Sequence, residues 1–118
     1  MKYLCLVYGE EKKFDALSES ELSALVNNSL TYDDVLRKSG HYITSDALQS
    51  VKAAKTLRVR NGKLSVTDGP FAETKEQLLG FILIEATDLD DALRAASNIP
   101  CGRLGSIEVR PVHELVKQ

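Results

Sequence analysis

Two segments of the sequence are apolar on both of the faces that an extended chain presents. Residues Lys2 to Tyr8 read Lys-Tyr-Leu-Cys-Leu-Val-Tyr, and residues Leu78 to Ala86 read Leu-Leu-Gly-Phe-Ile-Leu-Ile-Glu-Ala. Successive side chains of a strand point to opposite sides of its sheet, so a strand that is apolar on both sides has to be covered on both. Both segments are therefore predicted to be interior strands of a sheet with two packed faces.

Two helices are predicted to cover one of those faces. Ser18 and Glu21 form a capping box, apolar residues then recur at helical spacing, and Gly40 is typical of a helix end, which predicts a helix from Glu19 to Ser39. A second helix is predicted to start after Thr87 or Asp88 and to continue to about Asn98. Its predicted inward residues are Leu89, Ala92, Leu93 and Ala96.

The dipeptide Asn61-Gly62 predicts a β-hairpin. It lies between two short runs of β-type residues, and both of its residues tolerate the positive φ angles of a type I′ turn. A two-residue loop fixes the pairing of the two strands, Thr56 to Arg60 and Lys63 to Thr67. Val59 is then predicted to lie opposite Leu64, and Leu57 opposite Val66.

The order of the predicted elements indicates an α+β fold. Short strands at His41 to Thr44 and Ile107 to Arg110 complete the set, with Pro111 placing the last strand at or near an edge. Strand, helix, strand, hairpin, strand, helix, strand is the order of a ferredoxin-like antiparallel sheet with two helices on one face and an inserted hairpin. Two helices cover only one face, so the other apolar face is predicted to pack against a second copy of the chain.

The loop after the hairpin carries the motif Asp-Gly-Pro-Phe-Ala-Glu-Thr-Lys-Glu at residues 68–76. Glycine gives the backbone unusual freedom and proline removes it, so the pair fixes one loop path. The motif resembles the signature of the YCII-related, DGPF-type domains, and the likeness extends over the opening strand, the start of the second helix and the closing segment Gly105 to Val112. The resemblance implies a small bacterial protein of unassigned activity whose subunits pair into a dimeric α/β barrel.

Two residues of the motif are candidate catalytic groups. Asp68 is suited to act as a base if Phe71 partly desolvates its carboxylate, and Lys75 is suited to anchor a negative charge. The alternatives are structural: Asp68 bonds to the backbone amides of its own turn, and Glu73 forms a solvated ion pair with Lys75. Phe71 and Glu73 are also candidate ligand-binding residues.

Three further residues are candidates for ligand binding. Ser29 and Tyr32 fall on the inward stripe of the long helix, where the Ser29 hydroxyl either bonds back to the Leu25 carbonyl or faces a ligand. The resemblance implies a histidine of the proposed family site on this helix, and Ser29 stands in its place here. Arg103 is a second candidate cation. A cleft between the long helix, the 68–75 loop and the sheet is predicted.

The composition argues against several other classes of protein. The 118 residues are predicted to form one domain, and a net charge of -2 without runs of like charge argues against nucleic-acid or membrane partners. Cys5 and Cys101 lie at no metal-ligand spacing and follow no signal-like leader, which predicts reduced thiols in the cytoplasm. His41 and His113 are interpreted as surface or capping residues, so no metal is expected, and no phosphate-binding loop indicates a cofactor.

Three functions remain open from the sequence. The first is a homodimer that binds a small molecule, with or without cofactor-free acid–base chemistry. The second is a non-catalytic sensor or regulatory partner module, since the resemblance implies an association with extracytoplasmic-function sigma factors. The third is a dimeric interaction scaffold in which the motif only fixes a loop.

Overall fold

The computed structural model describes residues 1–118, which form six β-strands and three α-helices. The strands are β1 (Lys2–Gly9), β2 (Tyr42–Ala47), β3 (Lys55–Arg60), β4 (Lys63–Asp68), β5 (Gln77–Glu85) and β6 (Gly105–Pro111). The helices are α1 (Glu11–Asp15), α2 (Glu19–Lys38) and α3 (Leu89–Ser97), with short 3-10 turns at Val51–Ala53 and Pro100–Arg103.

Four strands form one antiparallel sheet in the order β2-β5-β1-β6, and β3 with β4 forms a separate two-stranded hairpin. Without the hairpin, this is the strand order of a ferredoxin-like βαββαβ unit. The predicted α+β class with antiparallel pairing is confirmed. β6 lies at one edge of the sheet, as Pro111 predicted, and β2 lies at the other.

The helices pack on one face of the sheet, called the inner face below. The buried core joins inner-face side chains of β1 and β5 to residues of α2 and α3: Tyr3, Cys5, Val7, Ile82, Ile84, Leu36, Ala92, Ala95 and Ala96. The alternate residues of the same strands form the outer face. Leu4 pairs with Leu83 and Leu6 with Phe81, and all four side chains are only half-buried. Nothing in the chain covers the centre of that apolar face.

The ends of both long helices follow the sequence signals. Ser18 and Glu21 form the predicted capping box, and Gly40 adopts φ +81° just beyond α2. Asp88 caps α3 by accepting a hydrogen bond from the Asp91 backbone N–H. The predicted inward stripe of α3 is partly wrong, because Leu89 and Leu93 are exposed. Ala92 and Ala96 face the sheet as predicted, and Ala95 joins them, so that small residues let the helix approach the sheet closely.

The hairpin has the predicted register. Val59 pairs with Leu64 and Leu57 with Val66, and the turn residues Asn61 and Gly62 adopt φ angles of 53° and 73°. The dipeptide therefore sets the pairing of all the side chains along both strands.

β2 is longer than predicted and lies very close to β5. It extends to Ala47 rather than Thr44 because Gly80 of β5 leaves room for its backbone. A Cβ atom at Gly80 would lie 2.7 Å from the carbonyl oxygen of Asp46. The predicted close backbone approach at this glycine is confirmed. No helix in the fold has the length and apolar character needed to cross a membrane.

His41 links the end of α2 to the start of α3. Its Nε2 atom lies 3.0 Å from both carboxylate oxygens of Asp91, and its Nδ1 atom lies 2.7 Å from the Ser39 hydroxyl. The backbone N–H of Thr87 and the His41 ring lower the pKa of the Asp91 carboxyl below its ordinary value of 3.8. His41 is therefore half-buried and connects the two helix ends, which excludes only the surface alternative of its interpretation.

Acid should weaken the fold through Asp91. A carboxyl whose pKa is lowered by folding contributes stability that is complete above its unfolded pKa and is lost as the pH falls through the folded pKa. Asp91→Asn should therefore unfold at lower urea concentration than the wild type at neutral pH, and this gap should narrow below pH 3.8. Asp90→Asn, one position away at the same helix end, is the control. If both variants unfold at the same urea concentration at neutral pH, the loss of stability is due to the helix dipole alone.

Candidate functional site

An apolar groove of about 360 Å³, called the inner groove below, lies between α2 and the edge strand β2. Leu25, Ser29 and Asp33 are spaced by four residues and so form one stripe of the helix, which makes one wall. The remaining lining comes from the last three residues of β2, from β5 and from two more apolar residues of α2: Ser45, Asp46, Ala47, Leu79, Gly80, Phe81, Ile82, Val26 and Leu30, with Val7 of β1.

Asp33 is the one acid on the helix wall of this groove, and it forms no ion pair. Its Oδ2 atom accepts a hydrogen bond of 3.2 Å from the Ser45 hydroxyl, and that hydroxyl lies 2.8 Å from the Tyr42 hydroxyl. Because the proton of Ser45 goes to Asp33, Tyr42 is the donor to Ser45. None of the ion pairs in the structure includes Asp33. A half-buried carboxylate thus faces an apolar groove with unused acceptor capacity.

Ser29 and Tyr32 make internal bonds. The Ser29 hydroxyl donates to the Leu25 carbonyl at 2.9 Å, which is the back-bonding that the sequence left as one alternative. Tyr32 donates to the Ala95 carbonyl at 2.5 Å and so ties α2 to α3, and burial raises the pKa of its hydroxyl. Ser29 lines the inner groove, whereas Tyr32 does not.

The motif lines a different cavity, called the outer cavity below, of about 1020 Å³. Pro70, Phe71, Ala72 and Thr74 surround it together with Tyr8 and Leu78 of the sheet and residues at the base of the hairpin. Val7 lines the inner groove and its neighbour Tyr8 lines the outer cavity, so the two cavities lie on opposite faces of the sheet. The long helix and the motif loop therefore line two different cavities rather than the predicted single cleft.

Asp68 and Phe71 do not form a desolvated pair. The Asp68 side chain is 86% exposed and forms an ion pair of 2.5 Å with Lys55, its direct partner across the hairpin base. Phe71 is itself 82% exposed and cannot exclude water from the carboxylate. Asp68 therefore pairs across two strands instead of capping its own turn.

The other predicted site residues are dispersed. Lys75 lies 3.3 Å from Glu10 at a polar cavity of about 480 Å³, and Glu73 is exposed without an ion pair. Arg103 is exposed in the 3-10 turn after α3. Asp68 and Lys75 are thus engaged in separate ion pairs. The fold does not gather Asp68, Lys75, Tyr32 and Arg103 around one point.

Both cysteines are free, and both thiols favour the protonated form. Burial raises the pKa of Cys5 to about 11, and burial also raises the pKa of Cys101, with Ser29 beside it offsetting part of the effect. Protonated thiols are poor nucleophiles. No group of three or more His, Cys, Asp or Glu side chains is placed to hold a metal ion.

The sequence reasoning missed the polar chain of Tyr42, Ser45 and Asp33. Asp33 had a usable signal, since it follows Ser29 by four residues and so shares its helix stripe. Ser45 had none, because β2 was predicted to end at Thr44. Its position beside Asp33 depends on the close pairing of β2 with Gly80, which joins residues far apart in the chain.

Comparison with known proteins identifies relatives over nearly the whole chain. Residues 1–116 match the family model of the YCII-related domain. An uncharacterized protein from Rhizobium meliloti (strain 1021) is 39% identical over 114 residues, which are 95% of this chain and 92% of that protein.

Proposed function

The chain belongs to the family of YCII-related domains, and within that family we propose that it is a homodimer that binds a small apolar molecule carrying an amino group. The observation that supports this ligand is the half-buried Asp33 carboxylate, which faces the inner groove without a cationic partner. A protonated amine supplies the missing charge, while its hydrocarbon part covers Leu25 and Leu30. The groove volume of about 360 Å³ is within the range of small-molecule sites.

The hydrogen-bonded side chains of Tyr42, Ser45 and Asp33 support the proposal that the groove prefers a cationic ligand. Ser45 donates to Asp33 and Tyr42 donates to Ser45, so the carboxylate is held at the groove by one hydrogen bond and keeps further acceptor sites for an ammonium group. The rest of the lining is mostly apolar, which strengthens the interaction between a carboxylate and an ammonium group. An anionic ligand of the same shape would meet repulsion from Asp33 and from Asp46, which also lines the groove.

Three ligands with one ring and different head groups test this proposal by calorimetric titration. Benzylamine should bind more tightly than benzyl alcohol, and benzoate should not bind. Asp33→Asn should weaken benzylamine at least about tenfold, because a hydrogen bond to a charged partner contributes about 1.5–3 kcal/mol. Its effect on benzyl alcohol should be slight.

Asp34→Asn is the matched control for that titration. Asp34 is the next residue of the same helix, is exposed, and pairs with Arg37 instead of lining the groove. Its replacement removes the same charge and should leave benzylamine binding unchanged. Equal affinity for benzylamine and benzoate would contradict the proposal. So would an equal loss of benzylamine affinity in Asp33→Asn and Asp34→Asn.

Binding is preferred to acid–base chemistry because the groove lining contains no cationic side chain and its second carboxylate, Asp46, is exposed. Asp68 and Lys75, the predicted catalytic pair, lie in separate exposed ion pairs. A sensor role fits the same proposal, since a sensor needs a ligand site and no catalytic group. The proposed location is the cytoplasm, where the free thiols of Cys5 and Cys101 stay reduced.

The homodimer is proposed to form through the outer faces of two sheets. Leu4, Leu6, Phe81 and Leu83 form an apolar surface there that no helix covers. Soluble monomers rarely expose large contiguous surfaces of this kind. Light scattering should therefore give twice the 13.0 kDa mass of one chain. A monomeric mass at micromolar concentration would remove this part of the proposal.

A further inference from the structure

The hairpin formed by β3, β4 and their turn, called the arm below, projects from the fold without cover. Every residue from Leu57 to Asp68 is exposed. One face of the arm is nonetheless apolar beyond the Lys55–Asp68 pair at its base, and its apolar side chains are 57–64% exposed: Leu57, Val59, Leu64 and Val66. An isolated two-stranded hairpin is only marginally stable in water. An apolar face of this kind is expected to pack against something outside the chain.

The apolar face of the arm is continuous with the outer face of the sheet. Leu57 of the arm lines the outer cavity together with Tyr8 and Leu78 of the sheet. Phe71 of the motif lines it as well, although its ring is 82% exposed. Because one open cavity joins these residues, the arm and the outer face are open to the same side, where one partner surface can cover both.

The surface area of the chain is large enough for such a partner. The accessible surface is 8610 Å², whereas a compact monomer of this mass exposes roughly 6,300 Å². The radius of gyration is 16.4 Å, against about 13.5 Å for a compact chain of this length. The surplus of roughly 2,300 Å² includes both faces of the arm and the exposed residues 113–118, and it exceeds the ~800 Å² per partner that a standard interface buries.

The shape of this surface fits a second copy of the same chain. A two-fold interface uses the same patch on both partners, so the patch must be complementary to itself. A projecting apolar arm and an open apolar cavity on one side of the chain provide the two complementary parts. In a two-fold pair, each arm can enter the cavity of the other copy.

We propose that the arm of each copy packs into the outer cavity of the other, so that each outer cavity is closed only in the dimer. This inference rests on the proposed homodimer and adds a residue contribution from the partner. It also gives the motif a role that is not catalytic. Gly69 adopts φ +100°, its N–H donates to the Ala54 carbonyl at 2.8 Å, and its carbonyl accepts from Thr56 at 2.8 Å. With the Lys55–Asp68 pair, these bonds hold the two strands together at the base of the arm.

The first test compares Leu64→Glu with Ser65→Glu by sedimentation equilibrium. Both positions are exposed on the arm, but Leu64 lies on its apolar face, whereas Ser65 pairs with Arg58 on the other face. Leu64→Glu should raise the dissociation constant of the dimer at least tenfold, and Ser65→Glu should change it less than twofold. Both variants should keep the wild-type circular dichroism spectrum, since neither side chain is buried in the monomer.

The second test places a reporter on the cavity. The chain contains no tryptophan, so Phe71→Trp gives a single fluorescent probe. Its emission should shift to shorter wavelength as the protein concentration passes through the dissociation constant, and this shift should be lost when Leu64→Glu is added. A wild type that stays monomeric would overturn the homodimer and this inference together. A stable dimer that Leu64→Glu leaves intact, with constant tryptophan emission, would overturn only the packing of the arm.

Discussion

Ile84→Lys should leave the chain unfolded at 25 °C, while Leu83→Lys should fold and lose its ability to dimerise. Ile84 is 1% exposed and lies on the inner face among the core residues of β1, α2 and α3. Its replacement removes a packed side chain and places an ammonium group where no carboxylate is available. The combined cost is about 5 kcal/mol or more, which is comparable to the whole stability of a small domain.

Leu83 differs because it lies on the outer face, opposite Leu4 and beside Thr44. A lysine there extends its ammonium group into water and disturbs the monomer little. In the proposed dimer the same lysine would be buried against the partner. The expected result is a cooperative urea transition with the mass of one chain. A dimeric Leu83→Lys variant would exclude the outer face as the interface, and a well-folded Ile84→Lys variant would contradict the burial of Ile84 in the core.

Leu83 and Ile84 also show which part of the sheet packing was predictable from the sequence. Alternation in β5 predicted that Ile84 and Leu83 face opposite sides of the sheet, because the side-chain period of a strand is fixed. It could not decide which side the helices cover, since both sides are apolar. That choice depends on the positions of Leu36 and the α3 alanines, which contact β1 and β5 from distant parts of the chain.

Local signals predicted the hairpin, the capping box and the serine back-bond. The Asn61-Gly62 turn, the Ser18–Glu21 box and the Ser29 bond each depend on residues within a few positions of one another. The candidate site was less predictable because its polar chain joins α2 to β2 across the sheet edge. The motif at residues 68–76 was recognised from its residues, but its placement on the outer side depends on the register of β1 with β5.

Gly105→Ala is the second change with a large expected effect. Gly105 pairs with Gly9 at the point where β6 begins beside β1. A Cβ atom at this position would lie 1.9 Å from the carbonyl oxygen of Tyr8 and 3.0 Å from the Cα atom of Gly9. These are backbone atoms, which cannot rotate away as a side chain can. The β1–β6 pairing would have to separate, at a cost of about 3 kcal/mol or more, or a fall in Tm of roughly 10 °C.

Gly102→Ala is the matched control, measured by the same thermal unfolding. A Cβ atom there would lie 3.1 Å from Cγ1 of Ile107, which is a side-chain atom that can shift. The Tm of this variant should stay within a few degrees of the wild type. Because Tyr8 also lines the outer cavity, Gly105→Ala should weaken the dimer as well, whereas Gly102→Ala should not. Similar Tm values for the two variants would mean that β1 and β6 separate at Gly9 at little cost.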